Sequence, residues 1–251
     1  MHEVVKMDID DRISTFIGYF KSELTMIDNI PASGSSKKFS KALYVSVIDA
    51  LSRCVFPHRN QSRKRFVSFL MRFSSWREGY NVSMPHLAQL LRMNPDPIFE
   101  KLRRTIFNAY ESSVVHRSQI VGIDTDPTYE DIKKNWPVQK ECRIPIEGVT
   151  LEYLQHFDLL YAYRNSLVHE LREPGYGMEI DDDEDYPYYH SMTMIGGGKE
   201  DKRIVLVYPV TFFRKITSTC LANLESYLKD NKLDPYAYYK FGTYWISELN
   251  E

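Results

Sequence analysis

Apolar residues recur every three or four positions along much of this 251-residue chain, and this spacing restricts its fold more than any other feature. Such a period is typical of helices that bury one face. A first helix is predicted over about 9–27. The predicted core helices cover about 38–56, 62–76, 97–113, 150–172 and 209–230. The fold class is therefore mostly α, because helices with one apolar face can pack together as a bundle.

Two stretches lack the helical period and are interpreted as insertions, over about 116–148 and 176–208. In the second, β-branched and aromatic runs flank Gly196–Gly198, which predicts a small β-hairpin near 188–208. The tail over 232–251 is rich in tyrosine, and its rings can stack on bases or pack on the bundle. Packing is favoured for Tyr236, Tyr238, Tyr239 and Tyr244. The whole of 1–251 is interpreted as one helical domain with insertions.

The cysteines and the apolar runs exclude several classes of protein. Cys54, Cys142 and Cys220 lie far apart without a CxxC pair, so the sequence predicts reduced, mostly buried thiols rather than a zinc site or a disulfide framework. The N-terminus lacks the apolar stretch of a signal peptide, and the longest apolar runs fall well short of the roughly 20 residues that span a bilayer. We expect a cytoplasmic protein with no membrane partner.

Common cofactor and metal signatures are missing from the chain. It contains no GxGxxG, GxxxxGK[ST], HExxH or GxSxG pattern, so no cofactor and no metal are predicted. The acidic run Asp181–Asp185 invites a metal interpretation. However, contiguous carboxylates in a loop point in different directions, whereas a cation needs ligands that converge. A solvated acidic loop is the favoured interpretation.

The most informative segment is Tyr163–Glu170, near the end of the helix predicted over 150–172. Arg164 is followed directly by Asn165, and His169 lies five positions after Arg164. This pattern resembles the R-x4–6-H motif of the HEPN superfamily, a group of all-α bundles that includes many metal-independent endoribonucleases. The resemblance covers about 38–56 and 150–231. It implies a single HEPN-like helical domain with Arg164, Asn165 and His169 as its catalytic residues.

Arg53 and His58 have the same spacing elsewhere in the chain. That pair straddles Pro57 and lacks the asparagine, so it is interpreted as a coincidence. An arginine and a histidine alone are therefore weak evidence. The asparagine and the helical context distinguish the second pair.

The three motif residues suit cleavage of RNA without a metal. His169 can act as base or acid because imidazole titrates near neutrality. Arg164 offers a permanent charge and a forked donor for phosphate oxygens. Asn165 can orient His169, since residues four apart share a helix face.

Arg164 and His169 do not point the same way on a regular helix, because residues five apart are separated by about 140°. Three arrangements can reconcile this spacing with a shared site. The helix end can distort, the arginine side chain can wrap round, or two protomers can combine their motifs. The resemblance implies the last of these, a homodimer formed through the motif helix.

The function implied by the resemblance is an endoribonuclease that leaves 2′,3′-cyclic phosphate ends. A role in antiviral defence or a toxin–antitoxin pair, with an antitoxin or regulatory partner, is implied in the same way. One alternative is a catalytically inactive HEPN-like module that binds RNA or acts as a dimeric scaffold. Another is an unrelated helical protein in which Arg164 and His169 only complement the helix dipole.

Separate blocks of opposite charge underlie the formal net charge of −2. Residues 37–77 hold ten basic residues against Asp49 alone, and such a cluster suits a nucleic-acid backbone. RNA contact is predicted for Arg59, Arg63, Lys64 and Arg65. The interleaved aromatics Phe66, Phe69, Phe73 and Trp76 are expected to belong to the core because they repeat at helical spacing. The acidic run after the motif could mimic RNA and shield the site.

Overall fold

Helices dominate the computed structural model, which describes residues 7–31, 34–56, 61–112, 120–175, 179, 184–196 and 199–239. In these residues the α-helices are α1 (Ile9–Asp28), α2 (Ser35–Val55), α3 (Ser62–Phe73), α4 (Met84–Met93), α5 (Glu100–Ser112), α6 (Tyr129–Lys133), α7 (His156–Asn165) and α8 (Val210–Asp230). The strands are β1 (Ile120–Gly122), β2 (Val138–Gln139), β3 (Cys142–Arg143), β4 (Tyr188–Gly196) and β5 (Lys199–Val207). The predicted mostly α fold with a β-hairpin is confirmed.

Side-chain caps explain several helix ends. The carboxylate of Asp8 accepts a hydrogen bond from the Ile9 N–H at 2.7 Å, so α1 begins there. At the other end of α4, Arg103 donates to the Asn94 carbonyl at 2.6 Å and to the Leu91 carbonyl at 3.4 Å. These are carbonyls that a helix end leaves without intrahelical partners. Arg103 therefore caps α4 from α5.

The chain divides into two compact units. The first comprises Met1–Ser75 and Phe213–Glu251, and the second comprises Trp76–Phe212. The helices predicted for one bundle are distributed over both units, and the single-domain interpretation stays a prediction. The motif segment lies in the second unit.

The first unit buries the apolar faces of α1 and α3. Phe66, Phe69 and Phe73 are buried on α3, which confirms their predicted place in the core. The Tyr236 and Tyr239 rings meet the Phe16 ring edge-on at 5.7 and 5.4 Å, as packing of the tail predicts. Among the other tail tyrosines, Tyr238 is about half exposed and Tyr244 lies outside the described residues.

The second unit combines a helical core with the sheet. Its buried cluster draws on α4, α5, α6 and the segment after β3, with members Val82, Leu87, Ala88, Leu91, Phe99, Leu102, Ile106, Tyr110, Ile132, Trp136, Ile146, Leu151 and Leu154. The larger sheet has the antiparallel order β1–β4–β5, with Tyr188 opposite both Gly122 and Val207. Trp76 is also buried, as predicted for the core aromatics. The stretch interpreted as an insertion over 116–148 contributes β1, α6 and the small β2–β3 sheet.

The helix predicted over 150–172 differs from the observed structure at both ends. Leu151–Leu154 form a 3₁₀ turn, and α7 begins only at His156. The chain is extended at Gln155 because it pairs with Val82 in an antiparallel bridge, and the His156 N–H donates to the Asn81 carbonyl at 3.1 Å. Pairing with a segment more than 70 residues away therefore interrupts the helix, which a local period does not reveal.

Gly79 has no room for a side chain beside α7. A Cβ atom there would lie 2.4 Å from Cζ of Phe157, so the ring or the backbone would have to move. We expect Gly79→Ala to lower the free energy of unfolding by about 1–3 kcal/mol, measured by urea unfolding.

Gly18 is the matched control, because nothing lies within 4 Å of the Cβ that it would gain in α1. Gly18→Ala should raise stability by about 0.5–1 kcal/mol. Equal effects of the two substitutions would show that the close approach to Phe157 is unimportant.

No helix among the described residues is both long enough and apolar enough to cross a membrane.

Candidate functional site

The motif helix ends in a π-turn. After α7, Ser166–Glu170 take the wider π-helical conformation, and the Leu171 N–H donates to the Ser166 carbonyl, five residues back. Leu171 itself is left-handed, with φ 52° and ψ 32°. Single π-turns inserted in α-helices occur frequently at functional sites. Of the three arrangements that the sequence allowed, this chain therefore has a distorted helix end.

The π-turn brings the motif residues together within one chain. Nη1 of Arg164 lies 3.3 Å from Nε2 of His169 and donates to Oδ1 of Asn165 at 3.0 Å. Nη1 carries two hydrogens, so one arginine nitrogen can serve both neighbours. It can donate to His169 only if Nε2 has no proton, because a ring nitrogen needs its lone pair to accept. In the tautomer that carries its proton on Nδ1, His169 thus accepts from Arg164 through Nε2.

Asn165 has a different partner from the one predicted. It was expected to orient His169, yet its side-chain oxygen accepts from Arg164. The π-turn explains this difference. It moves His169 away from the face that it would share with Asn165 on a regular helix, to the position above Arg164. Asn165 therefore acts on the site by fixing the arginine.

Burial of the opposite face anchors the motif helix. Leu160, Tyr163 and Leu167 are buried, while His169 is exposed and Arg164 is partly exposed. The Tyr163 ring meets the Tyr208 ring edge-on at 5.2 Å. Burial, and after it the charge of Glu173, raises the pKa of Tyr163 well above its usual value, so this tyrosine stays neutral. The motif side chains thus project from a helix whose other face is held in the core.

Charged and aromatic groups surround the Arg164–His169 pair. Glu170 and Arg172 flank Leu171 and form an exposed ion pair at 2.5 Å. The guanidinium of Arg164 lies 5.9 Å from the centre of the Tyr161 ring, at the outer limit of a cation–π contact. Because the pair lies on a partly open helix end, a phosphate can approach it from solvent.

A buried polar network at the start of α7 was not predicted from the sequence. Oδ2 of Asp126 accepts from the Tyr189 hydroxyl at 2.6 Å and lies 2.7 Å from Nε2 of His156, and its Oδ1 accepts from the Met84 N–H at 3.1 Å. Asp126, His156 and Tyr189 are all buried. The network continues from Tyr189 to Ser83, at 2.7 Å between their oxygens.

The network is built to hold a buried carboxylate. Burial, and after it the charge of Asp126, raises the pKa of Tyr189 well above its usual value, so the phenol stays a donor. Oγ of Ser83 also lies 2.7 Å from Nδ1 of the exposed His86. Ser83 is the N-cap residue of α4, but its side chain makes no capping hydrogen bond. Its hydroxyl is buried, so the network joins β4 to the starts of α4 and α7 rather than presenting a nucleophile.

The predicted RNA contacts lie in the first unit and differ in environment. Arg59 lies outside the described residues, Lys64 is exposed and Arg63 is partly exposed. Arg65 faces inward, where it donates to Asp49 at 3.2 Å and to Oγ of Ser52 at 3.1 Å. Its side chain is only 13% exposed, so it ties α3 to α2. Lys64 and Arg63 keep the surface position that a nucleic-acid contact needs.

The acidic run and the cysteines can be compared with their predictions only in part. Asp181–Asp183 of the acidic run lie outside the described residues. In the part of the chain that is described, no group of three or more His, Cys, Asp or Glu side chains could hold a metal ion. All three cysteines are free, with Cys54 and Cys220 buried and Cys142 exposed. Burial raises the pKa of the Cys54 thiol to about 12, so it is unreactive near neutral pH.

Comparisons with protein-family models, with curated proteins and with solved structures find no match to this chain. The HEPN resemblance is therefore carried by the motif residues themselves.

Proposed function

We propose that this protein is a metal-independent endoribonuclease of HEPN type. The observation that carries the proposal is the 3.3 Å contact between Arg164 and His169 on a partly exposed helix end, with Asn165 fixing the arginine at 3.0 Å. The pair combines a permanent cation with an imidazole. Cleavage of RNA through its own 2′-hydroxyl without a metal needs a cation on the phosphate and a base for the hydroxyl, and this pair supplies both.

The chemistry follows from competition for Arg164. An entering phosphodiester attracts the guanidinium, because the guanidinium binds charged phosphate oxygens more strongly than it binds a ring nitrogen. When Arg164 turns to the phosphate, the Nε2 lone pair of His169 becomes available. It accepts the proton of the 2′-hydroxyl, the 2′ oxygen bonds to phosphorus, and the bond to the 5′ oxygen breaks. The products are a 2′,3′-cyclic phosphate and a 5′-hydroxyl.

The leaving 5′ oxygen needs a proton from a second group. One imidazole cannot accept the 2′ proton and hold another for the leaving oxygen at the same moment. In the proposed homodimer, two motif helices face each other, and His169 of a second copy serves as the acid. The second copy in the dimer thus supplies the acid, although each chain already holds its own Arg164–His169 contact.

Lys64 and Arg63 are proposed as additional contacts to the RNA backbone. An unrestrained ribonuclease damages its host, so an antitoxin or regulatory protein and a defence role are proposed with it, and the cytoplasm as the place of action. The competing function is an inactive HEPN-like module that binds RNA or forms a scaffold. Turnover distinguishes the two.

The test is incubation of the purified protein with total RNA in excess EDTA. We expect cleavage that leaves 5′-hydroxyl ends, which polynucleotide kinase labels without prior phosphatase treatment. His169→Ala should reduce the rate by about 10²- to 10⁴-fold. Glu170→Ala, a change at the neighbouring exposed residue, should cleave at close to the original rate. Intact RNA from the folded protein under every condition would sink the proposal and favour the inactive module.

A further inference from the structure

The geometry points to Leu171 as a positioning residue, which places His169 against Arg164 by closing the π-turn. This inference rests on the proposed function for its catalytic consequence. Its geometric part concerns only the chain itself.

The Arg164–His169 contact depends on the π-turn. In a regular α-helix residues five apart are separated by about 140°. A π-turn closes hydrogen bonds between residues five apart, so those residues lie one above the other. Ser166–Glu170 form such a turn, which begins after Arg164 and includes His169, and the two side chains meet at 3.3 Å. If these residues relaxed to a regular α-helix, the contact would be lost.

Leu171 closes the turn at an intrinsic conformational disadvantage. Its N–H donates to the Ser166 carbonyl from a left-handed backbone with φ 52°, a conformation that leucine adopts reluctantly and glycine readily. Its side chain is 58% exposed, so packing of an apolar side chain does not account for a leucine there. Backbone strain of this kind concentrates at functional sites.

Burial on the inner face holds the turn. Leu167 is buried and fixes that face. The ion pair of Glu170 with Arg172 is exposed and contributes little to this conformation. The turn, and with it the position of His169, is therefore determined by contacts within a single chain.

The first experiment varies the backbone preference at position 171 and measures kcat and KM for cleavage of a short RNA. Leu171→Gly and Leu171→Asn tolerate the left-handed conformation and should preserve kcat. Leu171→Val, which is β-branched, should lower kcat by roughly 10²-fold with little change in KM, since a misplacement of about 1 Å has that effect. Equal kcat values for the three variants would overturn the inference.

Lys232 offers a matched control in the first unit, because it is also left-handed, with φ 49°, just after a helix. Lys232→Val imposes the same backbone conflict away from the motif. It should lower stability and leave kcat unchanged.

The second experiment changes the spacing and does not need catalysis. Removal of Val168 places Arg164 and the histidine four apart, where a regular helix brings them to one face. An alanine inserted between Leu167 and Val168 places them six apart. Nitrogen NMR of the motif histidine, His169 in the wild type, should report a hydrogen-bonded Nε2 in the wild type and the deletion variant. The insertion variant should lose that bond. The same signal in all three would overturn the inference, whereas absence of cleavage alone would overturn only the proposed function.

Discussion

Replacement of Arg164 with lysine is expected to lower the rate of RNA cleavage by roughly 10²- to 10³-fold. The charge is retained, so this loss would come from geometry. Nη1 of Arg164 reaches Asn165 at 3.0 Å and His169 at 3.3 Å. The other guanidinium nitrogens lie in the same rigid plane, so their direction is fixed by that of Nη1. A lysine has three donors on one rotatable nitrogen and cannot reproduce that fork.

Arg172→Lys is the matched control for this substitution. Arg172 lies on the same helix end, is exposed and pairs with Glu170, so it also tests the general effect of replacing an arginine near the site. We expect its rate to stay within about twofold of the wild type, because an exposed ion pair contributes little. The measurement is single-turnover cleavage of a labelled RNA in EDTA, with circular dichroism to confirm folding. An Arg164→Lys enzyme as active as Arg172→Lys would rule out a forked contact to the phosphate.

Asn165→Asp and Asn165→Ala extend the same argument to the residue that holds the arginine. The aspartate keeps an oxygen that can accept from Arg164, whereas alanine removes it. Better retention of cleavage by Asn165→Asp than by Asn165→Ala would support the positioning role. The opposite order would return Asn165 to the role predicted from the sequence, as a partner of His169.

Local patterns predicted the parts of this fold that depend on neighbours in the sequence. The three-to-four spacing of Phe66, Phe69 and Phe73 predicted a buried helix face, which the structure confirms. Glycines between two β-branched and aromatic runs predicted the hairpin, and β4 and β5 form it with Gly196 opposite Lys199. In both cases the signal and the structure lie within about 20 residues of each other.

Parts of the site that depend on distant pairing could not be predicted in this way. The start of α7 is set by a bridge between Val82 and Gln155, and the period of the apolar residues carries no trace of it. The spacing of the motif gave a partial signal. On a regular helix Arg164 and His169 are separated by about 140° around the axis, so a shared site required either a distorted helix or a contribution from elsewhere. The spacing did not distinguish a distorted helix from a dimer, since that choice depends on the backbone at Leu171.

Asp126 is the clearest case of a residue whose importance appears only in three dimensions. It stands in a stretch without helical period, next to the exposed Asp124, and nothing in the local sequence separates the two acids. In the structure Asp126 is buried and faces the Tyr189 hydroxyl, the His156 ring and the Met84 N–H. A buried carboxylate with this many donors stabilises a fold only while all its partners are present.

We therefore expect Asp126→Ala to lower the free energy of unfolding by about 3–5 kcal/mol, since it removes the carboxylate that faces polar groups of three segments. Asp124→Ala, the neighbouring surface change, should cost less than about 0.5 kcal/mol. Urea unfolding followed by tryptophan fluorescence is a suitable readout, because the Trp76 ring lies 6.3 Å from the His156 ring. If Asp126→Ala fails to fold, Asp126→Asn keeps the shape and one acceptor and should show a smaller loss in the same direction.

A double-mutant cycle then separates the network from simple burial. Tyr189→Phe alone removes one donor, and in the Asp126→Ala background the Tyr189 hydroxyl has already lost the carboxylate. The two losses of stability should therefore sum to clearly more than the loss in the double variant, because contacting residues couple by about 0.5–3 kcal/mol. Additive losses would mean that Asp126 and Tyr189 stabilise the fold independently. Coupled losses would identify the network as the element that joins β4 to the start of the motif helix, and with it the base from which Arg164 and His169 project.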